Sequence, residues 1–247
     1  MSKEIPVVLI TGAAKRIGAV IAQSLHMRGC RIIVHYYHSE STAKNLVAEF
    51  NQQRPDSAHA ICADLTQLER LRLLIEESVG RWGRLDALVN NASSFYPTPV
   101  SKITEEQWLD LMHTNLAAPL FLAQCAQSEL HKNHGCVVNI SDIHGERPLK
   151  NHTVYCCAKA AQNMLTKSLA REFAPQIRVN AVAPGAIIWP NNSSMDDKTQ
   201  QQILDRIPLN RLGTPQQIAK AVEFLLFDAS YMTGQIIYVD GGRSLQD

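Results

Sequence analysis

The run Val7-Val8-Leu9-Ile10 ends in Thr11-Gly12-Ala13-Ala14-Lys15-Arg16-Ile17-Gly18, and this junction constrains the 247-residue chain more than any other stretch. Four β-favouring apolar residues read as a buried strand. Ile17, Val20, Ile21 and Leu25 then recur at helical spacing. A strand, a glycine turn and a helix in that order aim free backbone N–H groups at a phosphate. Such loops often carry a third, central glycine; here Lys15 and Arg16 fill the middle.

The same rhythm continues along the chain. Short apolar runs near 6–11, 31–35, 58–62, 85–90, 135–140, 177–182 and 236–239 are expected strands. Helical patterns lie near 16–28, 40–53, 66–80, 104–131, 153–173 and 214–228. The strand runs are almost wholly apolar rather than alternating, as in a parallel sheet covered on both faces. The expected fold is therefore a doubly wound α/β sheet of seven strands, forming one domain over 1–247. Gly29 is placed to stop the first helix, and Asp64-Leu65-Thr66 offers an N-cap for the third. The stretch near 186–211 breaks the rhythm after Pro184-Gly185 and reads as a substrate lid.

Composition excludes several classes. A net charge of +1 argues against nucleic acid as a partner. No apolar stretch approaches the roughly 20 residues that a membrane span requires. Six cysteines without a CxxC pair read as reduced core residues of a cytoplasmic protein. His131-Lys132-Asn133-His134 falls at an expected helix end and has no carboxylate or cysteine partner in the pattern, so no metal site is expected.

The end of the second strand bears on the cofactor. Folds that prefer NAD place an Asp or Glu about 20 residues beyond the loop to hold the ribose hydroxyls. Here Val34-His35-Tyr36-Tyr37-His38-Ser39 contains no carboxylate before Glu40. Arg16 and Ser39, with His35 or His38, are then candidates around a 2′-phosphate, which favours NADP(H), and Tyr36 is a further cofactor-binding candidate. Gly12, Ile17 and Gly18 fit the pyrophosphate, Asp64 and Leu65 the adenine, and Asn91, Ala92 and Ser93 the nicotinamide ribose.

Tyr155 and Lys159 share one helix face at i, i+4 spacing. An ammonium near a phenol lowers the tyrosine pKa from about 10, so Tyr155 is expected to pass a proton near neutral pH. Asn139-Ile140-Ser141-Asp142 closes the fifth strand, and Asn115 lies in the long helix before it.

Together with Asp64, Asn90-Asn91-Ala92, Pro184-Gly185 and the tail from Thr233 to Gly242, these residues resemble the short-chain dehydrogenase/reductase family across nearly the whole chain. The resemblance implies a Rossmann-fold oxidoreductase, often a homotetramer. It makes Tyr155 the proton donor, gives Lys159 the nicotinamide ribose and the tuning of Tyr155, and lets Asn115 support a water chain to Lys159. Pro184 and Gly185 would border the cofactor.

Two departures narrow the resemblance. Asp142 stands where the family usually has serine, and Arg16 replaces the central glycine. With Asn90 to Pro99 and His35 to Ser39, they look like pteridine reductases. An ionised Asp142 cannot donate to a ketone oxygen, whereas an Asp142–Tyr155 pair can relay a proton to a ring nitrogen. Phe95 is expected to stack on a flat pterin, Ser93 and Arg16 to bond its polar edge, and Trp189 to wall the pocket. The expected activity is NADPH-dependent reduction of a dihydropterin, or of dihydrofolate. The rivals are a carbonyl or 3-oxoacyl thioester reductase and a catalytically inactive NADP-binding regulatory protein.

Overall fold

The computed structural model describes residues 5–188 and 197–245, so Trp189 lies outside the described residues. Its centre is one seven-stranded parallel sheet. The strands are β1 (Val7–Ile10), β2 (Arg31–Tyr36), β3 (Ala58–Cys62), β4 (Ala87–Asn90), β5 (Cys136–Ile140), β6 (Arg178–Pro184) and β7 (Ile236–Val239), in the order β3-β2-β1-β4-β5-β6-β7. The chain reverses direction across the sheet between β1 and β4. That switch point is where open α/β sheets bind ligands, outside the carboxyl ends of the strands.

The helices are α1 (Arg16–Met27), α2 (Glu40–Gln53), α3 (Leu68–Trp82), α4 (Glu105–Met112), α5 (Ala118–Lys132), α6 (Thr153–Phe173), α7 (Asp197–Asp205) and α8 (Pro215–Phe227). Strand pleating explains why both faces are apolar. Val8 and Ile10 point into one core with Ile21 and Leu25 of α1 and with Ile218, Val222 and Leu225 of α8. Val7 and Leu9 point into the other, with Leu71 and Leu74 of α3, Leu122 and Leu130 of α5, and Leu169 of α6. Each fully buried Leu or Ile contributes roughly 1.5–3 kcal/mol. Among the described residues, no helix is long and apolar enough to cross a membrane.

Local chemistry sets the helix ends. Thr104 and Gln107 form a capping box at the start of α4, and Thr214 and Gln217 form another at α8. Gly29, with φ +99°, ends α1 in the left-handed region, as its position predicts.

Three expectations need correction. The helix expected over 104–131 is two α-helices joined by a π-helical segment, His113–Ala117, in which the Ala118 N–H reaches the His113 carbonyl. Asp64 does not cap α3, whose N-cap is Gln67. Its Oδ1 instead accepts from the Thr66 N–H at 2.9 Å and from the Thr66 hydroxyl at 2.7 Å, closing a turn before the helix. All six cysteines are free, but Cys62 and Cys157 are exposed rather than in the core. The stretch read as a lid contains the short helix α7, and part of it lies outside the described residues.

Candidate active site

The loop after β1 is built for close approach. Gly12 has φ +62°, which favours glycine, and a Cβ there would sit 3.1 Å from the Ala92 Cα. A Cβ on Gly18 would lie 2.4 Å from the Gly12 carbonyl oxygen. No other side chain fits at Gly18 unless the loop moves. Arg16 holds φ +54° at the head of α1, a conformation that explains why related loops prefer glycine there. It is exposed, as is Lys15. α1 has no side-chain cap and no acidic residue in its first turn. Its free N–H groups and its dipole therefore suit an anion, and the residues present fit the pyrophosphate of a dinucleotide.

The cradle is held from below. Asn91 Nδ2 donates to the carbonyls of Thr11 at 2.8 Å and Gly12 at 3.2 Å. The Thr11 hydroxyl accepts from the N–H groups of Asn91 and Ala92. Asn91 therefore supports the loop with its side chain.

Two residues at the end of β2 have uses different from the expected ones. His35 is buried; its Nδ1 accepts from the Gly12 N–H at 3.0 Å, and its Nε2 lies 3.0 Å from the Ala63 carbonyl. Both ring nitrogens are spent inside the fold, and burial lowers the imidazole pKa to about 4. A neutral, fully engaged ring cannot supply charge to a 2′-phosphate; it positions the loop. The Tyr36 side chain lies in the apolar core. His38 is exposed and its ring lies tilted against Tyr37, with ring centroids 3.8 Å apart. Ser39 stands at the N-cap of α2 with no side-chain cap bond, and Glu40 pairs with Lys44 at 2.6 Å. Arg16, His38 and Ser39 thus remain available at this rim. Leu65 is buried in the core beside Asp64.

Tyr155, Asp142 and Lys159 meet at the end of β5. The Tyr155 hydroxyl donates to Asp142 Oδ2 at 2.7 Å. Asp142 Oδ1 accepts from the His144 N–H at 2.8 Å, which fixes the carboxylate at the head of a short 3-10 turn. Lys159 Nζ donates to the Ile140 carbonyl at 2.9 Å and to Gln162 Oε1 at 3.3 Å, and lies 5.7 Å from the Tyr155 ring centroid.

The electrostatics differ from the sequence expectation. Tyr155 is 4% exposed, and burial pushes its pKa well above the usual phenol value; the Asp142 charge adds to that. The Ser93 hydroxyl opposes the rise. Lys159 is 1% exposed, and burial lowers its ammonium to about 8. Burial and the Asp142 charge act in the same direction, so the protein alone holds Tyr155 protonated.

The π segment places Asn115, which is fully buried. Its Nδ2 donates to the carbonyls of Leu111 at 2.9 Å and Ser94 at 3.0 Å, and its Oδ1 accepts from the Ser93 hydroxyl at 2.6 Å. Asn115 thus acts directly on Ser93 rather than on Lys159. Phe95 is 53% exposed; its ring meets the Tyr155 ring edge-to-face and stacks on His152, each at 4.8 Å between centroids. One face of Phe95 is therefore taken by His152. Sequence reasoning missed His152 and Gln162, although both lie within a turn of Tyr155 or Lys159. Gly185 packs against the turn after β7, where a Cβ would lie 2.7 Å from the Asp240 Cα. Among the described residues, no group of His, Cys, Asp and Glu could hold a metal ion.

A family model described as enoyl-(acyl carrier protein) reductase matches residues 12–244, from the glycine loop to the turn after β7. The chain belongs to the short-chain dehydrogenase/reductase family. Members of this family are oxidoreductases that use NAD(P)H, and the cradle above is the part of the chain that fits such a cofactor. Pteridine reductase 1 of Leishmania tarentolae is 36% identical over 281 aligned positions, covering 97% of this chain and 96% of the relative. The 3-oxoacyl-[acyl-carrier-protein] reductase FabG of Staphylococcus aureus (strain Mu50) is 37% identical, covering 95% and 96%. The FabG of Staphylococcus epidermidis (strain RP62A) is 35% identical, covering 95% and 97%. Overall identity therefore does not separate the two activities, and the distinction rests on the site residues.

Proposed function

We propose that this protein is an NADPH-dependent pteridine reductase that converts a dihydropterin, or dihydrofolate, to the tetrahydro form. The observation that carries the reading is the 2.7 Å bond from Tyr155 to Asp142. A carboxylate that accepts from the tyrosine offers no donor to a ketone oxygen, but it forms a one-proton pair suited to a ring nitrogen. Half-exposed Phe95 supplies a flat apolar surface at the mouth of that pair.

The roles follow from the geometry. The nicotinamide supplies the hydride when bound. Tyr155 gives the proton, and Lys159, behind its ring, opposes the negative charge that then develops. Asp142, half-buried and open to water, reloads the pair. Ser93 stands beside the Tyr155 hydroxyl, and by turning its proton from Asn115 to the phenol oxygen it lowers the cost of ionisation. Arg16 and Ser93 bond the pterin's polar edge. Arg16, His38 and Ser39 take the 2′-phosphate, supported by the lack of a free carboxylate at the end of β2. Gly12, Ile17, Gly18, Asp64, Leu65, Ala92, Pro184 and Gly185 line the rest of the cofactor groove. The 1–247 chain acts as one reductase domain and assembles as a homotetramer; its free cysteines suit a cytoplasmic setting.

A thioester reading has support from the FabG relatives, so the test compares substrates. NADPH oxidation is measured with dihydrobiopterin, dihydrofolate and a β-ketoacyl ester. Turnover of a pterin substrate above the ester supports the proposal; turnover of the ester alone overturns it.

A further inference from the structure

α6 carries a row of polar residues into the core. Lys159, Gln162, Asn163 and Thr166 are all buried, three or four positions apart on one helix face. Buried polar groups need partners. The Gln162 main-chain carbonyl accepts from the Thr166 hydroxyl at 2.9 Å. That hydroxyl accepts from Asn139 Nδ2 at 2.9 Å, and Asn139 Oδ1 accepts from Asn90 Nδ2 at 2.9 Å. Asn90 and Asn139 are register partners on β4 and β5. The turn of α6 that holds Gln162 is thus tied to two neighbouring strand ends.

The Gln162 side chain serves Lys159. Gln162 Oε1 and the Ile140 carbonyl accept from Lys159 Nζ at 3.3 and 2.9 Å. An ammonium has three N–H donors, so one is left over. Asp142, at the end of β5, is the charge that favours the ionised lysine, while burial lowers its pKa to about 8. Tyr155, one turn back on α6, is the titratable neighbour, with its ring centroid 5.7 Å from Nζ. An acceptor lost from a buried ammonium favours release of its proton. A carboxylate in place of the amide would hold the proton but cancel the positive charge. The neutral oxygen of Gln162 keeps both the proton and the net charge.

We propose that Gln162 is the positioning residue for Lys159: with the Ile140 carbonyl it fixes two of the three ammonium N–H groups, which leaves the third for the cofactor and for the charge that develops on Tyr155. This rests on the role given to Lys159 above and deepens it. It does not depend on which substrate class the site takes.

The test uses two substitutions. Gln162→Met is close in shape and removes the acceptor; Gln162→Glu keeps an acceptor and adds a charge. NADPH is titrated by fluorescence into wild type and both variants from about pH 6 to 10, and thermal melting establishes that each is folded. In wild type, affinity falls as Lys159 loses its proton. Gln162→Met moves that fall to lower pH by about one unit, the value of one charge-assisted contact, and Gln162→Glu moves it to higher pH. Opposite shifts support the proposal. Shifts of one sign, weakening equal at every pH, or a wild type whose affinity is flat with pH overturn it. If Gln162→Met does not fold, the upward shift in Gln162→Glu decides, and its absence overturns the proposal. Turnover of dihydrobiopterin gives a second readout. Gln162→Met lowers kcat and leaves the pterin KM nearly unchanged; an effect on KM alone counts against the proposal. If no pterin is turned over, the pteridine reading falls and NADPH titration decides the role of Gln162 by itself.

Discussion

Tyr155 donates its hydroxyl proton to Asp142 Oδ2 at 2.7 Å, so the proposed proton donor is one half of a pair and not a lone tyrosine. Removing that proton leaves a buried phenolate beside a carboxylate. Tyr155→Phe is therefore expected to lower kcat by about 10²-fold or more while NADPH affinity changes little. Stopped-flow turnover with fluorescence titration of NADPH checks this, and full activity in the variant would remove Tyr155 as the donor.

Asp142→Ser restores the serine that the family usually carries. The substitution replaces an acceptor by a donor at the same rim. Pterin reduction should fall, and reduction of a β-ketoacyl ester should fall less or rise. Kinetics on both substrates in the two proteins give the ranking, and the opposite ranking favours the thioester reading.

Lys159 is buried with its pKa lowered to about 8 from an ordinary 10.5. Between these values the unfolded chain binds more protons than the folded one, so stability rises with pH across that window. Below pH 8 the folded protein carries the full cost of a buried ammonium. Urea unfolding at pH 7.5 and 10.5 should show stability rising relative to a Lys159→Met variant, by about 3 kcal/mol at most. The variant should be inactive throughout.

His35 gives the acid counterpart. Its pKa is lowered to about 4 from 6.5, so the unfolded chain binds the extra proton first as pH falls. The stability supplied by the neutral ring is present above pH 6.5 and is lost progressively down to pH 4. The expected loss is up to about 3 kcal/mol. Because Nδ1 holds the Gly12 N–H, NADPH affinity should fall in His35→Phe, measured by titration at pH 7.5.

Arg16 carries a left-handed backbone that costs a non-glycine residue roughly 1 kcal/mol. Arg16→Gly should therefore raise thermal stability modestly and yet weaken NADPH and pterin binding together. Wild-type protein should also bind NADPH more tightly than NADH. Equal affinity for the two cofactors would remove the case for a 2′-phosphate site at Arg16, His38 and Ser39.

The sheet was legible because buried parallel strands leave near-continuous apolar runs, and the helices between them keep one apolar face. The Tyr155, Lys159 and Asp142 cluster was legible because i, i+4 spacing and a strand end fix neighbours locally. Other features depend on contacts between distant segments. His35 looks like a phosphate ligand in sequence; only the pairing of β1, β2 and β3 shows that Gly12 and Ala63 consume its ring. Leu209 and Gly241 carry no local signal of their contact, since they meet only when the stretch after α7 and the turn after β7 pack together. Helical periodicity over 104–131 hid the π segment, because one extra residue shifts the apolar face without erasing it.

That extra residue makes the α4–α5 rod behave like a reading frame. Each residue of an α-helix turns the chain by about 100°, so deleting one position within 113–117 would restore regular winding and rotate everything on one side of the cut relative to the other. Asn115 would then face away from Ser93, or α5 would present the wrong side to the sheet. Length changes, which proteins usually absorb in loops, are thus forbidden in the middle of this helix, and a scan of single-residue deletions should find its most damaging positions there.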